Sequence, residues 1–467
     1  MRGPCIISLA VAGILACGAP GVSVRYYADL NRTIASGNPD AALAMIEKSR
    51  SLYGEKSALL YWMDQAMILT LAGRYEQSNA IIQAAEELIE ALYTKSVTRE
   101  AASFLTSDAS LPYEGEDFEK VFLNVLGALN HAMLSEPDEA AVEARRADQK
   151  LAEMARTRGG KTAYGEDAFV RYLMGLMYED AGETNDAWIS YARAIQTYQA
   201  QSAFGVPVPA SLVRRALIAG TALGFHEEVA ALRDTFDTGP VDLRKSARMG
   251  RIIVVEFAGN VPTKMERRIE ITLVQGLPFV QSMDVASHEE QQVSSALSAA
   301  KSLPGTTNIV IAYPVIVGGG AATPPARVRV AGPDLETEAV AEVAHNLQAI
   351  APVCLEERMG RIWGRTVARA VIKFLLAYAA QKAGEAAGGK KYGWLTGLLA
   401  GSLTGAALSA SEHADTRSWG TLPAEVRLAV IEVPPGDYEV EVQGLPWTRA
   451  TVRVESARSV WRLVRTR

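Results

Sequence analysis

The sequence predicts a mixed α+β protein: a helical-repeat half over 17–237, an α+β half with antiparallel strands over 238–467, and a short leader at 1–16. Apolar residues recur at helical spacing from about residue 24 to 237, with turn signals between the runs. After Thr238-Gly239-Pro240 the pattern changes to β-branched runs. With 49% hydrophobic and 21% charged residues, the chain has the composition of a folded protein. Its 467 residues are enough for two or three domains, each with its own core. An excess of 53 Asp+Glu over 47 Lys+Arg argues against non-specific nucleic-acid binding, so no nucleic-acid partner is expected. The 3 Cys and 5 His are scattered, which excludes a disulfide scaffold and a Cys/His zinc module.

The leader reads MRGPCIISLAVAGILAC. Arg2 gives a positive start, and the apolar stretch Ile6–Ala16 is too short to span a bilayer. The segment Ile14-Leu15-Ala16-Cys17 resembles the bacterial lipobox, in which the Cys takes acyl chains (palmitate among them) and becomes the first residue. Cys17 is therefore the expected lipidation site, and loss of Arg2 moves the formal charge from −6 to −7. Gly18 stands where inner-membrane retention usually has Asp, which points to the outer membrane, periplasmic side. Multiple acyl chains supply the hydrophobicity that stable anchoring requires. Cys5 leaves with the leader, and the remaining thiol, Cys354, reads as a core residue.

Within the helical half the clearest unit is Ala168–Gln199. Gly175 and Tyr178 occupy small and aromatic positions of a first helix, Gly182 the turn, and Ala187, Tyr191 and Ala194 a small–aromatic–small face of a second. This resembles a tetratricopeptide (TPR) repeat, whose helices approach closely only where side chains are small. Related units run over Ala58–Leu92 with Gly73, over Asp117–Leu151 around the SEPDEA turn, over Asn31–Ser51 with Gly37, and over Ser211–Phe236 with Gly224. Their uneven spacing implies insertions at 93–116, 155–167 and 199–210. The expected architecture is a TPR-like α-solenoid, whose concave face takes a peptide or protein segment. Asn124, Asn130, Arg171 and Asp180 are candidates for its lining.

In the second half, strands are expected at Arg251–Phe257, Glu270–Val274, Asn308–Val317 and Arg327–Val330, and helices at Glu336–Gln348 and Leu355–Ala387. Val426–Val433 and Tyr438–Val442 read as a hairpin around PPGD, and Arg449–Val454 and Ser459–Val464 continue the sheet. Uncharged residues 392–410 place Gly393, Gly397, Gly401 and Gly405 at i, i+4 spacing, a glycine zipper that lets a second helix approach at backbone distance. Two readings stay open for it: burial against the preceding helix, or self-association and membrane contact.

Catalytic and cofactor signatures do not assemble. RGGKT at 158–162 follows a helix rather than a strand, and His226-Glu227-Glu228 and His288-Glu289-Glu290 lack the second His of a zincin. Glu114, Glu116, Asp117 and Glu119 read as a helix N-terminus, with acid–base chemistry open to them only if folding buries and opposes them. No catalytic residue, metal ligand or cofactor is expected, and the protein is read as a non-enzyme. The segments 113–130, 143–151 and 414–440, with the glycine-rich stretch, resemble an uncharacterised family of bacterial TPR-containing outer-membrane lipoproteins. The resemblance brings no catalytic residue with it. Asp415, Arg417 and Trp419 form a candidate binding or structural cluster, with Arg417 paired to Asp415 and stacked on Trp419. The expected function is that of a lipid-anchored scaffold, binding protein partners of the cell envelope through its TPR groove. The alternatives are a glycine-zipper homo-oligomer or membrane-associated component, and an enzyme of unfamiliar site acting on a surface polymer.

Overall fold

The computed structural model describes residues 22–103, 108–157, 164–274, 277–280, 306–321, 323–387 and 412–467. The leader, Cys17 and the zipper glycines Gly393, Gly397, Gly401 and Gly405 lie outside them. The architecture is mixed α+β, with a helical region first and strands after it.

The helical region opens with α1 (Val24–Ala35), α2 (Pro39–Lys48) and the single turn α3 (Arg50–Tyr53). Four further hairpins follow: α4 (Ala58–Leu71) with α5 (Tyr75–Ser103), α6 (Asp117–Met133) with α7 (Pro137–Thr157), α8 (Ala168–Asp180) with α9 (Thr184–Ala200), and α10 (Ala210–Leu223) with α11 (His226–Phe236). Each hairpin packs on the next. Between paired helices the chain turns through a left-handed residue, a glycine at 73, 182 and 224 but Ser135 in SEPDEA. Gly175 lies directly under the ring of Tyr191, so a Cβ there would overlap it. The stretch 93–116, expected as an inserted loop, begins instead as a continuation of α5.

First and second helices differ in what surrounds them. The sequence ALLYWMDQAMILTL makes α4 apolar around its circumference, as a helix enclosed on every side must be. In α6 and α8 most positions are buried as well, whereas α11 buries none. The enclosure comes from the C-terminal half: α4 and α6 touch β11 (Ser459–Arg465), and α8 touches β7 (Glu342–Asn346).

After the short helix α12 (Leu243–Ser246), the strands form three sheets among the described residues. The first orders β11, β1 (Gly250–Ala258), β8 (Glu425–Val433) and β7. The second orders β10 (Leu445–Val454), β9 (Gly436–Val442), β5 (Arg327–Ala331) and β6 (Glu336–Val340). Along β1, Ile253, Val255 and Phe257 join the helical core, while Ile252 and Val254 join the core between the two sheets. Period-two alternation thus places the first sheet as the middle of three layers. The third sheet orders β3 (Leu277–Val280), β2 (Thr263–Val274) and β4 (Thr306–Val317). It rests on the long helix α13 (Leu347–Ala387), where Tyr313 and Trp363 stack with ring centroids 4.9 Å apart.

Three expectations are corrected. Glu336–Gln348 is not a helix but strands β6 and β7, followed by the start of α13. Glu336 and Glu338 pair with Arg329 and Arg327 across β5, and β7 finds its ladder on β8, so cross-strand pairing overrides the helical preference of Glu and Ala. The PPGD corner does not close a hairpin. Strand β8 already has β1 and β7 as neighbours, so β9 turns away to pair with β5 and β10 in the second sheet. The strands are not all antiparallel either, since β11 runs parallel to β1.

Candidate functional site

The sequence places a binding groove on the first helices, with candidates on α6 and α8; on α1, α4 and α6 the chain covers its own helices. Residues 412–424, extended between α13 and β8, lie across these helices and are largely buried. From α1, Asn31 Nδ2 donates to the Gly420 carbonyl at 2.8 Å. Gly420 has no room for a side chain, because an added Cβ would sit 2.5 Å from the Tyr27 ring. From α4, Asp64 accepts the Thr421 hydroxyl at 2.7 Å, and its other oxygen accepts Tyr27 and Tyr53 at 2.7 and 2.9 Å. Thr421 in turn accepts the Trp419 indole N–H at 2.9 Å. From α6, Glu119 accepts the Trp419 backbone N–H at 2.7 Å and the Tyr113 hydroxyl at 2.5 Å.

A second tier of charge ties in β2, α13 and β11. Glu116, at the N-terminus of α6, is paired with Lys264 of β2 and Arg358 of α13. Burial opposes its ionisation, but the two cations reverse that and hold its carboxyl down at about 2. Glu119 goes the other way: burial first, then the neighbouring Glu116 charge, raises its carboxyl above the ordinary range. Burial likewise lifts Asp64 to about 7, against the three hydroxyl donors that favour its ionised form. Glu412 meets Arg369 at 3.2 Å and Lys373 at 2.5 Å, and Arg369 also reaches Asp108 at 2.9 Å. Arg465 of β11 donates to the carbonyls of Thr421 and Gly259 at 3.1 and 2.8 Å.

Arg417 grips Asp415 with two hydrogen bonds of 2.8 Å, as expected. Its guanidinium lies over Tyr113, 5.2 Å from the centroid, and not on Trp419, whose ring is enclosed by Phe122 and the Thr421 bond. Asn124, Asn130 and Asp180 do not line an open groove. Asn124 bridges Glu86, Glu143 and Lys150, Asn130 joins Thr70 to Asn79, and Asp180 receives Arg251 at 2.5 Å and the Trp461 indole at 3.1 Å. Arg171 is tied to Asp148 at 2.8 Å. Cys354 is buried and unbridged, in line with its reading as a core residue.

Sequence reasoning missed the burial of Glu116 and Glu119, although their i, i+3 spacing ahead of an apolar run is the signature of a helix cap. It also missed a pair formed by Asp167, which caps α8, and His345 of β7, 2.8 Å apart between Phe169 and Phe122. The cavity beside this pair is about 20 Å³, the room of one water and not of a substrate. Among the described residues no group of His, Cys, Asp and Glu could hold a metal ion, and no helix is long and apolar enough to cross a membrane. No protein-family model matches this chain, and no curated protein does either.

Proposed function

We propose that this chain is a lipid-anchored scaffold of the bacterial cell envelope, held at the outer membrane through Cys17, facing the periplasm and acting by binding. Its helical half is read as a TPR-like array. The observation that carries the reading is the seat of residues 412–424. The helical face recognises an extended polypeptide by a carbonyl, a backbone N–H and a hydroxyl, using Asn31, Glu119 and Asp64. That is recognition chemistry, here used on the chain's own segment, and it ties the helices to the strands. Partner proteins then meet the outward second helices, where Ile189 of α9 and Tyr93 of α5 are exposed.

The test is site-specific photocrosslinking in cells from positions 189 and 93, with position 419 as the buried control. Enrichment of the same envelope protein from the outward positions, absent from the control and from an unrelated lipoprotein, supports the scaffold. Equal recovery from every position, or none, defeats it. A Cys17→Ala form that still fractionates with membranes defeats the anchor. A second reading, self-association through the glycine zipper, is favoured by the exposed Leu375 and Leu376 on α13. A monodisperse monomer of Cys17→Ala protein in detergent-free buffer counts against it.

A further inference from the structure

The N-termini of α1, α4 and α6 lie at one end of the helical array. Tyr26 of α1 meets Tyr53 of α3 with ring centroids 6.4 Å apart. The Tyr113 N–H, ahead of α6, donates to the Lys56 carbonyl, ahead of α4, at 2.7 Å. Helix α13 follows the same end. Its Arg358 pairs with Glu116 at the α6 N-terminus, and its Arg369 reaches Asp108, in the linker before α6, at 2.9 Å. Leu375 and Leu376 come within about two turns of Arg369. Of the ten large apolar side chains exposed among the described residues, four stand at this end: Val24 and Leu52, each more than half exposed, and Leu375 and Leu376. Around Val24 and Leu52, the exposed cations Arg25, Lys48, Arg50 and Lys56 have no carboxylate within ion-pair distance among the described residues. Glu47, Glu55 and Glu114 are the exposed acids beside them, so this neighbourhood is not negative and does not repel anionic headgroups.

We propose that this end of the protein is a bilayer-docking surface, seated on the headgroup boundary through Val24, Leu52, Leu375 and Leu376. The inference rests on the lipid-anchor reading and adds to it the face that the anchor presents to the membrane. Cys17 precedes Val24 by seven positions, which span at most about 25 Å when extended. The far end of α1, where Trp447 sits on Gly37, lies about 18 Å further along the helix axis. An acylated Cys17 therefore brings the end with the apolar residues to the bilayer first. Four such side chains hold a free protein on lipid only weakly, but a tether makes the contact intramolecular and raises its effective concentration to the millimolar range. Tyr26, half-buried beside Val24, adds the ring-and-hydroxyl character that favours a membrane interface.

The experiment uses the full acylated chain, purified from membranes and reconstituted into vesicles of phosphatidylethanolamine with phosphatidylglycerol. A benzophenone amino acid is placed at position 52, 375 or 447, all exposed, and adducts are read by mass spectrometry. Position 375 is remote in sequence from Cys17, so the tether alone does not explain an adduct there. Expected are phospholipid adducts at 52 and 375 at least about tenfold above those at 447. Equal yields at the three positions, or none at 52 and 375 in an acylated chain, overturn the docking surface and leave the anchor standing. Crosslinks between two copies at 375 in place of lipid overturn it in favour of self-association. An N-terminal peptide without acyl chains overturns the anchor reading, and the docking surface falls with it.

Discussion

Replacement of Glu116 by Gln is the sharpest probe of how the two halves are joined. Glu116 sits at the N-terminus of α6 and takes Lys264 from β2 and Arg358 from α13, so a single carboxylate ties three elements. Its carboxyl titrates at about 2 instead of the ordinary 4.5. At 1.36 kcal/mol for each tenfold in acidity, that depression stabilises the folded state by about 3 kcal/mol. An independent route agrees: removing one partner of a buried ion pair costs about 3–5 kcal/mol, because the other charge stays buried. Because the folded value lies below the unfolded one, the contribution is fully present above pH 4.5 and fades as pH falls toward 2. Urea unfolding followed by circular dichroism, from pH 7.5 down to 2.5, reads both effects. Glu116→Gln is expected to lose about 3 kcal/mol at pH 7 and to show a shallower fall in stability between pH 5 and 2.5. A loss below about 1 kcal/mol, or an acid limb unchanged from wild type, would refute the coupling.

Asp64 acts in the opposite window. Burial raises it from 3.8 to about 7, so the folded chain holds a proton that the unfolded chain releases, and wild-type stability falls as pH rises from about 4 to 7. Asp64→Asn should flatten that slope in the same urea titration, and an unchanged slope means that Asp64 is ionised in the fold. Trp419→Ala should cost about 3–5 kcal/mol and abolish much of the near-ultraviolet dichroism, because the ring is fully enclosed. Gly175→Ala should cost about 1–3 kcal/mol by pressing on Tyr191, despite the helical preference of Ala. Gly182→Ala, at φ +83° with open space around it, should cost about 1 kcal/mol, and thermal denaturation of the pair checks the order.

The helices of residues 24–237 were legible because local spacing fixes them: Gly37, Gly73, Gly182 and Gly224 all mark turns where the chain reverses. The strands at 251–257, 308–317 and 459–464 were legible from their β-branched runs. Partnership was not legible. Nothing local in Val426–Val433 says that both of its edges are taken, which is why the PPGD corner leads to another sheet. Strand β6 carries Glu and Ala, and its antiparallel ladder on β5, with Arg327 and Arg329 opposite its acids, makes it a strand. The pairing of Asp415 with Arg417 was visible because they lie two positions apart, whereas Tyr113 under Arg417 lies about three hundred residues away and has no sequence signature. Burial of Asn124 and Asn130 depended in the same way on helices distant in sequence.

The bond from Trp419 to Glu119 spans 300 residues, and that from Asn31 to Gly420 spans 389. At about 5–20 residues per second, a ribosome needs tens of seconds to add the missing stretch. During that delay Asp64 keeps only the Tyr27 and Tyr53 hydroxyls and Glu119 only Tyr113 and the Glu116 N–H, each one donor short of its final set. Loop-closure entropy must also be overcome before the late segment can dock. The half-made chain is thus a natural client for a holding chaperone, and its cooperative folding waits on the arrival of a dozen residues near its far end.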